Sequence, residues 1–266
     1  MIRTVILLGI CSLSAVISAK AVQAQVRISP MVIETEVNRN QAEGVINVTN
    51  ITNEPFHARV YVQPFAYNRD TGFETLSSSP TDLSPYLQFS PRELIVPPGT
   101  TRRIRLIAQL PPHLPEGEYR VVVFTENLQE MKTSDQKGNV VNIRGKVGST
   151  FYVRKGKLSP QLIIDSSSFD PEKNQIKLLV RNIGKASVLP TATWTLKQQG
   201  SIIRSGEIQP TGITAQSDRY LFLNLADTGK TAIAPGKYEI YGELIWGQAP
   251  NQTSLPFNIN LIVPSQ

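Results

Sequence analysis

The chain has 266 residues, with 27 Lys+Arg against 21 Asp+Glu, a formal net charge of +6, one cysteine and two histidines. A single thiol excludes an internal disulfide framework and multi-cysteine metal sites. A His-based triad or metal cage would have to use His57 or His113, and each lies in a setting with an ordinary structural explanation.

The first 24 residues read as a secretory leader. Arg3 is the only charge before Lys20, an apolar run lies between them, and Ala21-Val22-Gln23-Ala24 places small residues where a signal peptidase cuts. The run is shorter than the ~20 apolar residues of a membrane span and is interrupted by Gly9, Ser12, Ser14 and Ser18, so no stable membrane insertion is predicted. Cys11 follows the bulky Ile10 early in the apolar region, a poor setting for lipid attachment. Cleavage after Ala24 removes that cysteine and leaves a cationic, thiol-free chain from Gln25 onward. Such a chain is held by hydrophobic cores, and its length suits two domains of ~120 residues.

Strand-like periodicity runs through nearly all of it. Short segments rich in β-branched residues, bounded by Pro, Gly, Asn and Asp, predict strands at 32–37, 45–50, 56–65, 93–96, 101–108, 118–126 and 140–154. A second set follows at 161–164, 175–182, 191–197, 201–209, 219–223, 237–246 and 253–263. No stretch after the leader keeps helical spacing for three turns, and the 19 prolines disfavour long helices. The fold class is therefore all-β, as two tandem immunoglobulin-like sandwiches at 25–154 and 155–266, joined at Lys155-Gly156-Lys157.

Two marks recur in the same order and support a repeat. Asn47-Val48-Thr49-Asn50 precedes a polar turn and a strand, as does Leu179-Val180-Arg181-Asn182. Later, Gly117-Glu118-Tyr119 and Gly236-Lys237-Tyr238 each open a long strand, the spacing of a tyrosine corner. Between 68 and 85, Asp70-Thr71-Gly72 and Ser77-Ser78-Ser79-Pro80 predict a long solvated connection.

No catalytic constellation emerges, and no enzyme activity, cofactor or metal site is predicted. Gly229-Lys230-Thr231 resembles the end of a phosphate-binding loop, but Asn224 stands where that loop needs its first glycine. Asp165, Asp170, Glu172 and Asp218 are spaced through turns, where short acidic side chains belong on local grounds. Arg102, Arg103 and Arg105 are the densest basic cluster. On a strand, Arg103 and Arg105 share one face while Arg102 points with Ile104 and Leu106, which predicts a solvated sheet face rather than a nucleic-acid footprint.

The last strand of the first domain is the informative one. Val141, Ile143, Val147, Phe151 and Val153 share one parity, with Gly145 and Ser149 in the same row. Asn142, Arg144, Lys146, Gly148, Thr150 and Tyr152 share the other. This alternation is long for a strand in a sandwich, and a polar loop at 129–139 precedes it. Two readings stand at this point: the apolar row packs its own core, or it is lent to another chain.

Three stretches resemble the N-terminal domain of PapD-like periplasmic pilus chaperones. The first is Phe89-Ser90-Pro91-Arg92-Glu93-Leu94-Ile95-Val96-Pro97-Pro98-Gly99 with Thr101-Arg102-Arg103-Ile104-Arg105-Leu106. The second is Asn127-Leu128-Gln129-Glu130-Met131 leading through the polar loop to Asn139-Val140-Val141-Asn142-Ile143, and the third is Phe151-Tyr152-Val153-Arg154. The resemblance covers residues 25–155; the second domain agrees in size and class.

It implies a chaperone that binds pilus or surface-fibre subunits by donating a β-strand, in the periplasm, with an outer-membrane usher as a further partner. The donated row corresponds to Val141 and Ile143, with Gly145 in place of a third apolar residue and Val147 beyond it. Members hold a subunit's terminal carboxylate with an Arg on the first strand and a Lys on the last; the matching positions here are Met31 and Thr150, which carry no charge. Arg27, Arg144 and Lys146 are the candidate substitutes. Gly117-Glu118-Tyr119 replaces the Arg-Glu-Ser of the resembled chaperones. The competing reading is an exported structural or adhesive sandwich with no client.

Overall fold

A computed structural model describes residues 26–134, 140–225, 233–248 and 250–264. The predicted leader with its cleavage point, and Gly229-Lys230-Thr231, lie outside the described residues. In chain order the first half forms β1 (Val26–Ser29), β2 (Val32–Glu36), β3 (Gln41–Asn50), β4 (Phe56–Gln63), β5 (Phe65–Asn68), β6 (Gly72–Thr75), β7 (Leu87–Ser90), β8 (Glu93–Val96), β9 (Thr101–Gln109), β10 (Gly117–Asn127), β11 (Met131–Ser134), β12 (Val140–Ile143) and β13 (Lys146–Lys155). The second half forms β14 (Leu162–Asp170), β15 (Gln175–Asn182), β16 (Thr191–Gln198), β17 (Ser201–Ile208), β18 (Ser217–Asn224), β19 (Gly236–Trp246) and β20 (Thr253–Val263). Among the described residues no helix is long and apolar enough to cross a membrane.

The first sandwich packs a sheet of order β1-β3-β9-β7 on one of order β2-β13-β10-β4-β8. Alternation along each strand supplies the core: Ile46 and Val48 from β3, Ile104 and Leu106 from β9, Val121 and Val123 from β10, Phe151 and Val153 from β13. The chain leaves the first sheet after Ser29 and enters the second at Val32, where β2 runs parallel to β13. The second sandwich packs β14-β15-β18 on β17-β16-β19-β20. Its core includes Ile176 and Leu178 of β15, Trp194 and Leu196 of β16, and Ile240 and Leu244 of β19.

Both repeat marks have a structural cause. The Tyr119 hydroxyl donates to the Pro115 carbonyl at 2.9 Å and the Tyr238 hydroxyl to the Ala234 carbonyl at 2.7 Å, two tyrosine corners. Asn50 and Asn182 are fully buried. In each, Nδ2 donates to the carbonyl four residues on, that of Glu54 at 2.6 Å or of Ala186 at 2.8 Å. In each, Oδ1 accepts the N–H two residues on, from Thr52 at 2.9 Å or Gly184 at 3.0 Å. A second Nδ2 contact pins the turn to a distant strand or loop: Val96 in the first domain, Ile213 in the second. The amide thus satisfies backbone groups that the turn would otherwise bury unpaired.

The expected solvated connection after residue 68 is only partly that. β5 and β6 pair as a hairpin, Phe65 and Phe73 stack at 5.5 Å, and Leu83 is fully buried. The hairpin helps cover the outer face of the five-stranded sheet, where Phe65, Val122, Phe124 and Tyr152 form a second cluster with Val32, Tyr61 and Tyr67. This explains why β10 and the second half of β13 are buried on both faces. The polar residues around the hairpin mask three aromatics that need such a surface.

The two sandwiches also touch through specific pairs. Ser187 donates its N–H to Glu118 Oε2 at 2.7 Å and its hydroxyl to Glu118 Oε1. Arg154 joins Glu118, at 3.2 Å, to the Ser187 carbonyl, at 2.8 Å. On the other flank Arg69 Nε donates to Asp218 Oδ1 at 2.8 Å, and the Arg219 guanidinium lies 4.4 Å from the Tyr67 ring centroid. A side chain at Gly212 would put its Cβ 2.7 Å from Tyr67 Cε2, so this close approach of the domains needs glycine.

Candidate functional site

The predicted single strand at 140–154 is two strands. β12 ends at Ile143 and β13 begins at Lys146, with Arg144 and Gly145 between them. The break coincides with the end of β10: the Asn127 N–H donates to the Gly145 carbonyl at 2.9 Å, and Gln129 N–H then turns back to Asn127 Oδ1 at 2.9 Å. Beyond it β11 and β12 form their own ladder, with Arg144 paired to Glu130 at 2.8 Å at its base. The long hairpin bends where its sheet runs out of core to pack on. Gly145 is exposed at the break, with open space around its Cα.

On one side β13 pairs with β10 along its length. On the other, β2 covers only Thr150–Arg154, ending where the Met31 carbonyl accepts the Thr150 N–H at 2.9 Å. Because β1 has crossed to the other sheet, residues 146–149 have no second strand among the described residues, nor does β12 on the side away from β11. The result is an unpaired strand edge.

The side chains along this edge grade from core to solvent. Phe151 is 0% exposed, Val147 is half-buried against the main core, and Ile143 is 45% exposed. Gly145 is exposed between them. Val141 belongs to the same row by parity, and its backbone stands opposite Thr133. Val140, of the other parity, is exposed as well.

The opposite parity of β13 faces the junction of the two domains. Lys146, Gly148 and Thr150 border a cleft of about 1010 Å³, with Met31, Phe73 and Phe124 of the first domain and Leu189 and Pro210 of the second. A Cβ on Gly148 would lie 2.7 Å from Val122 and 3.1 Å from Phe124, so glycine lets the cleft's aromatic floor reach the strand. The Lys146 ammonium sits 4.6 Å from the Phe124 ring centroid, a cation–aromatic contact. Glu126 faces Lys146 across the β10–β13 ladder. Its carboxyl is held below the usual range chiefly by the hydrogen bond from Arg59, with Arg144 and Lys146 adding to the effect.

Met31 and Thr150 come together at the cleft, and neither brings a charge. The three candidate substitutes separate. Arg27 lies on β1, exposed on the outer face of the other sheet. Arg144 is paired with Glu130. Lys146 alone of the three borders the cleft. In the sequence Glu118 stands out only as the middle of Gly117-Glu118-Tyr119 and Ser187 not at all; an acid at the start of a strand gives no sign of its burial against another domain. Among the described residues no group of three His, Cys, Asp or Glu side chains is placed to hold a metal ion.

No protein-family model and no curated protein matches the chain. Solved structures of similar architecture include the class 5 fimbriae chaperone CfaA, with a TM-score of 0.48 and 15% identity over 90% of this chain and 100% of that one. The CupB2 chaperone of Pseudomonas aeruginosa is similar with a TM-score of 0.47 and 14% identity over 88% of this chain and 100% of that one. A further similarity is to the CsuC–CsuE chaperone–tip adhesion subunit complex from the archaic chaperone-usher Csu pili of Acinetobacter baumannii, with a TM-score of 0.48 and 15% identity over 88% of this chain and 98% of that one.

Proposed function

We propose that this chain is a divergent PapD-like periplasmic chaperone that captures pilus or surface-fibre subunits by donating the edge formed by β12 and β13. The observation that carries this reading is the unpaired edge at 140–149, whose apolar row passes from fully buried Phe151 through Val147 to exposed Ile143. An exposed edge with alternating apolar side chains is a liability unless another chain covers it. A subunit lacking one strand supplies the complement. Its own edge takes the free backbone N–H and C=O groups, while its groove takes Ile143, Val147 and Val141. Each well-filled aliphatic pocket contributes ~1.5–3 kcal/mol. The capture needs no nucleotide, because completing the subunit's core supplies the free energy.

In this reading Lys146 takes the part of the absent charged pair. It borders the cleft beside Met31 and Thr150, and a subunit carboxylate entering there meets its ammonium over the Phe124 ring. The predicted leader supports a periplasmic location, and an outer-membrane usher is the expected acceptor of the loaded complex. A structural or adhesive sandwich with no client leaves exposed Ile143 and Val140 without a role.

The test is amide hydrogen exchange on the chaperone with and without a fibre subunit encoded beside it. Protection confined to 140–149 on binding supports strand donation. Binding with no added protection there, or no binding of any such subunit, overturns it. Lys146→Met should weaken capture and flatten its salt dependence; an unchanged salt slope removes Lys146 from the anchor.

A further inference from the structure

The exposed arginines of this protein fall into two groups. Arg59, Arg69, Arg144 and Arg181 are each held by a carboxylate, from Glu126, Asp218, Glu130 and Asp165. Arg27, Arg39, Arg92, Arg102, Arg103 and Arg105 are exposed and form no ion pair among the described residues, although Arg92 lies over the Phe89 ring. Three of them, Arg27, Arg103 and Arg105, lie on one surface. Arg27 stands opposite Thr49 and Thr49 opposite Thr101, while Arg103 stands opposite Asn47 and Arg105 opposite Val45. Paired residues share a face and alternate residues along a strand return to it, so all three arginines project from the outer face of β1-β3-β9-β7. With strands ~4.8 Å apart and ~6.7 Å between alternate residues, their Cα atoms fall within about 20 Å. The only acid on that face among the described residues is Glu43, which accepts a hydrogen bond from Gln41 at 2.6 Å and stands opposite Ile107, beyond the arginines.

We propose that this face docks on an anionic phospholipid surface. A pleated sheet face is broad and shallow, which suits an extended planar partner better than an enclosed small ligand. Guanidinium groups match phosphate oxygens in a two-pronged geometry and are less strongly hydrated than ammonium groups. Val45, 42% exposed directly opposite Arg105, adds an apolar contact at the headgroup level. The predicted leader sends the chain to a compartment bounded by bilayers, where phosphate headgroups are the abundant extended polyanion. The face lies on the side of the sandwich away from the interdomain cleft, so a docked chain keeps the β12–β13 edge free. Docking would hold the protein where exported subunits first emerge.

The test is co-sedimentation of the chain from Gln25 onward with vesicles of phosphatidylglycerol and phosphatidylcholine, against phosphatidylcholine alone, across a salt series. The wild type should bind only the anionic vesicles and release as salt rises. Arg27→Gln/Arg103→Gln/Arg105→Gln should bind at least tenfold more weakly, and the single Arg103→Gln about fivefold, which keeps the test open if the triple variant does not fold. Lys173→Gln/Lys185→Gln/Lys237→Gln removes the same charge from exposed sites of the second domain and should bind like the wild type. Absence of wild-type binding, an equal loss in the lysine variant, or tighter binding to a short DNA duplex than to the vesicles would each overturn the proposal.

Discussion

Glu118 of the first domain takes both polar hydrogens of Ser187 in the second, with its own side chain 1% exposed. The carboxylate is compensated from its own side by Arg154 at 3.2 Å and Arg120 at 3.6 Å. Burial pushes the Arg120 guanidinium below its usual pKa, with Glu118 opposing that effect. One acid thus stabilises buried Arg120, the domain junction and half-buried Arg154, which also meets Glu34 at 3.2 Å.

Removing it should be costly. Glu118→Ala leaves Arg120 and Arg154 without their shared buried partner, an expected loss of ~3–5 kcal/mol in urea unfolding. Ser187→Ala removes one hydroxyl donor and should cost ~1–2 kcal/mol. A Glu118→Ala loss no larger than that of Ser187→Ala would mean that the arginines find other partners.

The two buried asparagines make a matched pair of stability probes. Asn50→Ala and Asn182→Ala should each destabilise by ~2–4 kcal/mol, because turn carbonyls and an N–H lose their partner in a site closed to water. Asn50→Asp should cost as much or more, since the carboxylate keeps the acceptor but cannot donate to the Glu54 and Val96 carbonyls. Denaturant unfolding checks each, and a loss below about 1 kcal/mol would show that water replaces the amide.

The strand edge separates two otherwise similar substitutions. Phe151→Ser empties a fully buried site and should cost ~3–5 kcal/mol, whereas Ile143→Ser, at a position 45% exposed, should cost the free protein less than about 1 kcal/mol. Under strand donation Ile143→Ser also weakens subunit capture by at least about tenfold. Calorimetry and a binding titration on both variants are sufficient; equal destabilisation by the two would make Ile143 ordinary core.

Alkaline pH should weaken the domain junction. Burial raises the Tyr152 phenol well above its usual value, and Tyr67 beside it is raised by burial with Arg219 opposing. The unfolded chain releases these protons near pH ~10, while the folded chain retains them to higher pH. Their contribution is therefore complete below about pH 10 and is lost as pH rises from there toward the folded values. Urea midpoints at about pH 9 and 11 should fall less steeply for Tyr152→Phe than for the wild type. Parallel slopes would assign the alkaline loss elsewhere.

Local pattern was enough to place most strands, the tandem arrangement, both tyrosine corners and the apolar row that ends at Ile143. Those features depend on residues within a few positions of each other, and alternation reports directly which side of a strand meets a core. The tertiary structure decided what lies against the second side. Phe73 sits in a polar stretch that reads as solvated until its hairpin with Phe65 and Tyr67 folds over β10 and β13. The break at Arg144 and Gly145 follows from where the partner strand β10 ends, which the strand's own alternation does not encode. Lys146 is set apart from Arg27 and Arg144 by the neighbours it acquires, among them Phe124 and residues of the second domain. Glu118 likewise becomes a junction residue through Ser187, 69 positions away along the chain. Such pairings are set by packing between distant segments, so their chemistry appears only when the sheets and domains close on one another.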